Sequence, residues 1–207
     1  QIPGVSHRGS LPPPRMAVQV EIVSDFTCPF SYVAEAALRR VAAEIGAEVR
    51  YRAFELFPAP TPLPLDAGME WAEVLAPLAA EAGVELRRPG YQSRTRKAHE
   101  AARLAEERRV GSEMRDALFA AYFAGGRDIG RIDVLVEIGV GIGLDRTELK
   151  VVLDIDRYTD AVLADREEAA RDGIREVPLL VVGSGADARL LVGAQPLAVL
   201  REALAGS

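Results

Sequence analysis

AVQVEIVSDFTCPFSYVAEAALRRVAAEIGAEVRYRAFEL, residues 17–56, sets the architecture for everything that follows it. Its first ten residues are β-branched, alternate, and then run apolar, the pattern of a buried strand. Phe30, Ala34, Ala37, Leu38, Val41 and Ile45 then recur at helical spacing and line one face of an amphipathic helix. Gly46 is placed to stop it, because glycine accepts the left-handed conformation that ends helices. AEVRYRAFEL (47–56) alternates again and reads as a second strand. Strand, helix and strand in that order make a βαβ unit with parallel strands.

The proline-rich run FPAPTPLPLDAG (57–68) suits neither helix nor sheet and reads as a linker. From there to about residue 172 the periodic segments are helical. Trp71, Val74, Leu75 and Leu78 form one stripe, with Pro77 placed to kink or restart the helix. Further helices are expected over 93–109, over 113–123 (EMRDALFAAYF) and over 131–142. Asp145 and Glu148 have capping-box spacing and open a long helix that Gly173 should end. VPLLVVGS (177–184) and ARLLVGA (188–194) then read as an antiparallel hairpin, and PLAVLREALA (196–205) as a closing helix. The order βαβ, helices, ββα describes an α/β protein with a thioredoxin-like fold and an inserted all-helical domain. The expected boundaries are 16–60 and 174–207 for the thioredoxin-like part and 61–173 for the insertion. Residues 1–15, QIPGVSHRGSLPPPR, read as a disordered leader of the kind cloning leaves, so His7 is excluded from any site.

Composition narrows the function. The chain has 207 residues, a net charge of -6 and a pI near 5.1. That balance disfavours nucleic acid and acidic membranes, which both want a basic face. No apolar run approaches the roughly 20 residues that span a bilayer. A single cysteine leaves no partner for an internal disulfide and fits a reducing cytoplasm. With one cysteine and one usable histidine, ligand spacing for a metal fails as well.

A lone cysteine is commonly a small buried hydrophobe. Cys28, however, follows the first strand and precedes a helix, with Pro29 at the first helical position. Free N–H groups and the positive dipole end there stabilise a thiolate, so the placement predicts a thiol more acidic than the ordinary value of about 8.5. Pro178 stands at the entrance to a strand, where proline is unfavourable unless the strand end is special. Two readings stay open: an edge-strand proline in trans, or a cis-proline turn that leaves the Val177 backbone to pair with an extended peptide.

VEIVSDFTCPFSY, SRTRKAHEAARLA, LFAAYFAGGRDI, GLDRTEL, DGIREVPLLVVG and LVGAQP resemble, in that order, the DsbA superfamily and within it the FrnE-like branch. The resemblance covers essentially residues 18–205. It implies thiol–disulfide oxidoreductase or isomerase chemistry, with Cys28 at the nucleophile position and Pro178 at the cis-proline position. Ser31 stands where the family's resolving cysteine would be. DFTCPFSY is also similar to the serine-bearing pattern of the related kappa-class glutathione transferases and 2-hydroxychromene-2-carboxylate isomerases.

The resemblance makes Cys28, Ser31 and Pro178 the expected catalytic residues and Pro29, Phe30, Val177 and His99 the expected substrate contacts. His99 is either a helical histidine bonded to solvent or backbone, or a group that reaches Cys28 and handles protons. Phe30 and Tyr32 are placed to line a groove, although Tyr32 equally suits a place under the helix. Trp71 and the LFAAYF aromatics read as core. Arg87, Arg88, Arg94, Arg96 and Lys97 are either a solvated face or an attractor for an anionic tripeptide. Three functions follow. One is monothiol disulfide exchange without a tightly bound cofactor, with glutathione resolving the intermediate and a protein disulfide or glutathione as partner. Another is glutathione-dependent isomerisation or transfer on a small aromatic substrate. The third is a binder that has kept the fold and lost the chemistry.

Overall fold

The computed structural model describes residues 18–64 and 71–206. The expected leader lies outside these residues, as does part of the proline-rich linker. A four-stranded sheet runs in the order β2-β1-β3-β4, from Gln19–Ser24 (β1), Glu48–Ala53 (β2), Leu179–Val182 (β3) and Arg189–Val192 (β4). β1 and β2 are parallel, whereas β1 with β3 and β3 with β4 are antiparallel. This is the thioredoxin-like arrangement that the order of segments predicts. A single 3-10 turn, Gly185–Asp187, joins the last two strands.

α1 (Pro29–Ile45) and α8 (Leu197–Ala205) pack on one face of the sheet through Val33, Leu38, Val41, Leu180, Leu200 and Leu204. Side chains of this kind contribute roughly 1.5–3 kcal/mol each when fully buried. Gly46 ends α1 at φ 72, and its N–H donates to the Ala42 carbonyl at 2.8 Å. The other face carries Val23, Phe54 and Leu179 against Ala169 of α7 (Thr159–Arg171).

Between β2 and β3 stand α2 (Trp71–Ala82), α3 (Arg96–Glu107), α4 (Gly111–Phe123), α5 (Ile132–Gly141), α6 (Arg146–Asp154) and α7. Pro77 does not restart α2, which runs through it. α2 shares the core of α1 through Trp71, Leu75, Ala79 and Ala82. α3 to α6 enclose a separate core that also takes in Phe26 and Tyr32 from the β1–α1 junction.

One helix expectation fails. Residues 145–172 form two helices, because Asp156 adopts φ 57 and turns the chain between α6 and α7. Lys97 holds that corner by donating to the Leu153 carbonyl at 2.6 Å and to the Asp156 carboxylate. The start of α6 is as expected, with the Asp145 side chain accepting from the Glu148 N–H at 2.8 Å.

A buried ionic joint ties α1 to α4. Arg115 donates to both carboxylate oxygens of Glu35, at 2.6 and 2.5 Å, and to the Ser24 hydroxyl at 2.8 Å. Its guanidinium lies 4.7 Å from the centre of the Phe26 ring and 4.3 Å from that of Tyr51. Burial opposes the charge on Glu35, but Arg115, Arg39 and the Ser24 hydroxyl together outweigh it and hold the carboxyl below its usual range.

Candidate active site

β1 ends at Ser24, and Asp25, Phe26 and Thr27 make the turn into α1. Asp25 organises it. The Cys28 N–H donates to the Asp25 carbonyl at 3.1 Å, and the Asp25 N–H to the Ser31 hydroxyl at 3.4 Å. The Asp25 carboxylate accepts the Thr27 N–H at 2.7 Å and the Thr27 hydroxyl at 2.6 Å on Oδ1. On Oδ2 it accepts the Leu56 N–H at 3.1 Å and the Thr95 hydroxyl at 2.8 Å. Asp-x-Thr is the signature of such a turn, and it stands in the sequence at 25–27.

Cys28 is the N-cap of α1, with Pro29 in the first helical position as expected. The thiol donates to the Val177 carbonyl at 3.4 Å, and the Val177–Pro178 bond is cis. Of the two readings of Pro178, the turn beside the thiol is the one found. Cys28, Pro29, Phe30 and Val177 line one cleft of about 780 Å³ together with Leu56 and Trp71. A smaller compartment of about 280 Å³ shares Thr27, Pro29 and Trp71 with it and runs on to Tyr91, Tyr122 and Phe123.

Cys28 is only 6 % exposed, and burial pushes its thiol above the ordinary value. The Ser31 hydroxyl and the N–H groups of Ser31 and Phe30 pull the other way, while the Asp25 charge adds to the rise. The expected acidic thiol is therefore not what the geometry gives. Helix N–H groups do favour the thiolate, but lost solvation and a neighbouring carboxylate outweigh them.

Ser31 is fully buried behind the thiol and faces it, out of the cleft. His99 is 2 % exposed and is not among the described residues that line the cleft. Its ring packs 4.8 Å from that of Phe26, and Nε2 lies 3.7 Å from Asp25 Oδ2, beyond hydrogen-bond reach. Tyr32 does not line the groove either: it stacks on Phe119 and Phe123 at 5.1 and 5.5 Å. Trp71 serves both core and cleft.

The basic cluster is largely engaged in holding the molecule together. Arg94 donates to the Phe57 carbonyl at 2.7 Å, Arg96 pairs with Glu55 at 2.5 Å, and exposed Arg87 pairs with Glu85. Arg88 lines the smaller compartment. Sequence reasoning missed Asp25, Thr95, Glu35 and Arg115. It also missed Arg175 and Glu176, which line the cleft just before Val177.

A cysteine capping the first long helix of a thioredoxin-like sheet, facing a cis-proline turn, defines a thiol-exchange architecture. The DsbA-like thioredoxin domain model matches residues 19–205, and the chain belongs to that family. A solved probable DsbA oxidoreductase from Streptomyces coelicolor is 32% identical, with a TM-score of 0.76 over 91% of this chain and 89% of that one. Protein YwbO of Bacillus subtilis is 30% identical over 81% of this chain and 88% of its own length. The cytosolic disulfide reductase DsbM from Pseudomonas aeruginosa, solved with GSH, is 20% identical and shares the fold at a TM-score of 0.68, covering 91% of this chain and 98% of that one. Among the described residues no helix is long and apolar enough to cross a membrane.

Proposed function

We propose that the protein is a thiol–disulfide exchange enzyme of the FrnE-like type that works with the single thiol of Cys28 and uses glutathione, in a reducing cytoplasm, to resolve its intermediate. One observation carries this reading: the chain's one cysteine opens onto the cleft beneath Val177, while the residue three positions on is a buried serine facing the sulfur. The Cys28 thiolate attacks one sulfur of a disulfide, forming a Cys28 mixed disulfide and releasing the other half as a thiolate. A serine hydroxyl cannot carry out the second displacement. An external thiolate must attack the mixed disulfide, freeing Cys28 and leaving bonded to the substrate half. The cleft has the volume of a typical small-molecule site, and Arg175 at its wall suits a carboxylate of the tripeptide.

A second reading, glutathione-dependent isomerisation or transfer, draws on the smaller compartment. Trp71, Tyr91, Tyr122 and Phe123 surround it, as a flat aromatic substrate would require. The test is disulfide reduction by wild type, Ser31→Cys and Cys28→Ser, with and without glutathione. Wild type should need glutathione, Ser31→Cys should need it less, and Cys28→Ser should be inactive. Equal glutathione-free activity in wild type and Ser31→Cys overturns the monothiol reading. Full activity of Cys28→Ser on a small aromatic substrate with glutathione selects the second.

A further inference from the structure

We propose that two copies of this chain pair through β4, strand against antiparallel strand about a twofold axis, and that Leu190 of the second copy then stands beside the Cys28 cleft. The inference goes beyond the exchange reading and does not depend on it.

The strand order leaves β2 and β4 at the two edges of the sheet. An edge is guarded when it carries charges or has its backbone groups covered. β2 carries Glu48, Arg50 and Arg52, and Asp165 of α7 accepts the Ala53 N–H at 2.9 Å. β4 is the reverse case. Its Leu190 and Val192 are 62 % and 61 % exposed. They lie opposite Val181 and Leu179 of β3, on the face where Ala169 of α7 packs against Leu179 and stops short of β4.

The register shows which backbone groups face outward. The Gly193 N–H donates to the Pro178 carbonyl at 2.9 Å, so Leu191 and Arg189, at alternate positions, likewise bond into β3. Leu190 and Val192 therefore turn their N–H and C=O groups away from the sheet. Among the described residues one of these four groups has a partner beyond β3: the Val192 carbonyl accepts from the Gln195 side chain at 2.7 Å. A carbonyl has room for a second donor.

Turned upon itself, the strand is complementary. With Leu191 on the twofold axis, Leu190 of one copy faces Val192 of the other, twice, and each such pair can exchange both backbone bonds. Apolar side chains then meet across the axis on the bare face. Arg189 falls opposite Gly193, and its guanidinium lies against Gly206 at the end of α8, so no like charges are brought together. The strand thus supplies its own partner. A ladder of four residues a side is small beside the roughly 1,200–2,000 Å² of a stable interface, so the pair should be weak and concentration-dependent. Val192 and Gly193 also line the Cys28 cleft. Leu190 of the second copy, opposite Val192, extends the apolar wall that Leu56, Phe57 and Val177 begin.

The test is sedimentation equilibrium under reducing conditions, which exclude a disulfide between two Cys28 residues. Wild type should rise in mass from 22.3 kDa toward twice that value as its concentration approaches about 1 mM. Leu190→Lys and Val192→Glu, each checked for folding by circular dichroism, should weaken pairing by about tenfold or more, because symmetry counts every substitution twice. The double variant should regain it, since the lysine of one copy faces the glutamate of the other. A wild type that stays at 22.3 kDa throughout overturns the proposal, even if an extended peptide binds the same edge. A single variant that pairs as well as wild type overturns it too, as does a double variant no tighter than the single ones. If the variants fail to fold, amide exchange in wild type decides. The N–H groups of Leu190 and Val192 should exchange several-fold more slowly in concentrated than in dilute solution, and exchange independent of concentration overturns the proposal.

Discussion

The Cys28 thiol donates to the carbonyl of Val177, 149 residues further along the chain, at 3.4 Å. The residue before the cis-proline and the reactive sulfur thus hold each other in the resting protein. On the exchange function proposed above, a disulfide entering the cleft would meet a sulfur already turned toward the Val177 backbone. Deprotonation removes the donor in this bond, so ionisation and release from Val177 are one event.

Alkylation of Cys28 by iodoacetamide should therefore rise steeply through neutral pH and inflect above the ordinary thiol value near 8.5. Below the inflection the rate should fall tenfold per pH unit, because the reactive thiolate does. A plateau already reached at pH 7 would show that the helix N–H groups prevail over burial.

Ser31→Ala removes the hydroxyl that faces the sulfur and favours its charged form. Hydrogen bonds to charged groups contribute about 1.5–3 kcal/mol, so alkylation at pH 8 should slow by about tenfold or more. Ser31→Cys, by contrast, should give an internal disulfide that a thiol count detects after mild oxidation. An alkylation rate unchanged in Ser31→Ala would mean that the hydroxyl serves only the Asp25 N–H.

Stability should decline in acid. Asp25 and Glu35 both have carboxyls held below their ordinary values in the folded protein. The stabilisation this gives is complete above the unfolded values near 4 and is lost as pH falls through the folded ones. Urea midpoints should be flat above about pH 5 and fall progressively below about pH 4. Asp25→Asn should flatten part of that fall. A midpoint independent of pH down to 2 would contradict both assignments.

Glu35→Gln leaves Arg115 buried without its counter-charge. Removing one member of a buried pair costs about 3–5 kcal/mol, a large fraction of a typical folding free energy. The expected result is a substantially lower denaturant midpoint with the transition slope retained. A midpoint within experimental error of wild type would show that Ser24, Tyr51 and Phe26 suffice for the guanidinium.

The strands, α1 and the closing hairpin were legible because each is punctuated locally. Gly46 ends α1, Pro29 starts it, and alternation marks β1 and β2. The break between α6 and α7 was not, because it depends on Asp156 taking a positive φ under the hold of Lys97, a residue 59 positions away. The places of Cys28, Pro29, Phe30, Val177 and Pro178 at the starts of the first helix and the third strand were legible for the same local reason. The depth at which Cys28 is buried was not legible, because a helix N-terminus is visible in sequence whereas its burial is not. His99 was misplaced for a related reason, since α3 turns it toward Phe26 and Asp25 and away from the cleft. Glu35 and Arg115 carried no local signal, because only the crossing of α1 and α4 puts them in one interior.

The lone sulfur at the mouth of α1 also limits what the molecule can remember. A two-cysteine centre records an encounter with oxidant inside its own chain and keeps that record when everything around it is washed away. Here each oxidation of Cys28 to a disulfide must be written with a borrowed half. On the single-thiol function proposed above, the oxidised protein is a population of covalent conjugates whose identities follow whichever small thiols or clients surround it. A mass spectrum of the intact chain, taken straight from its source, would read as an inventory of those neighbours.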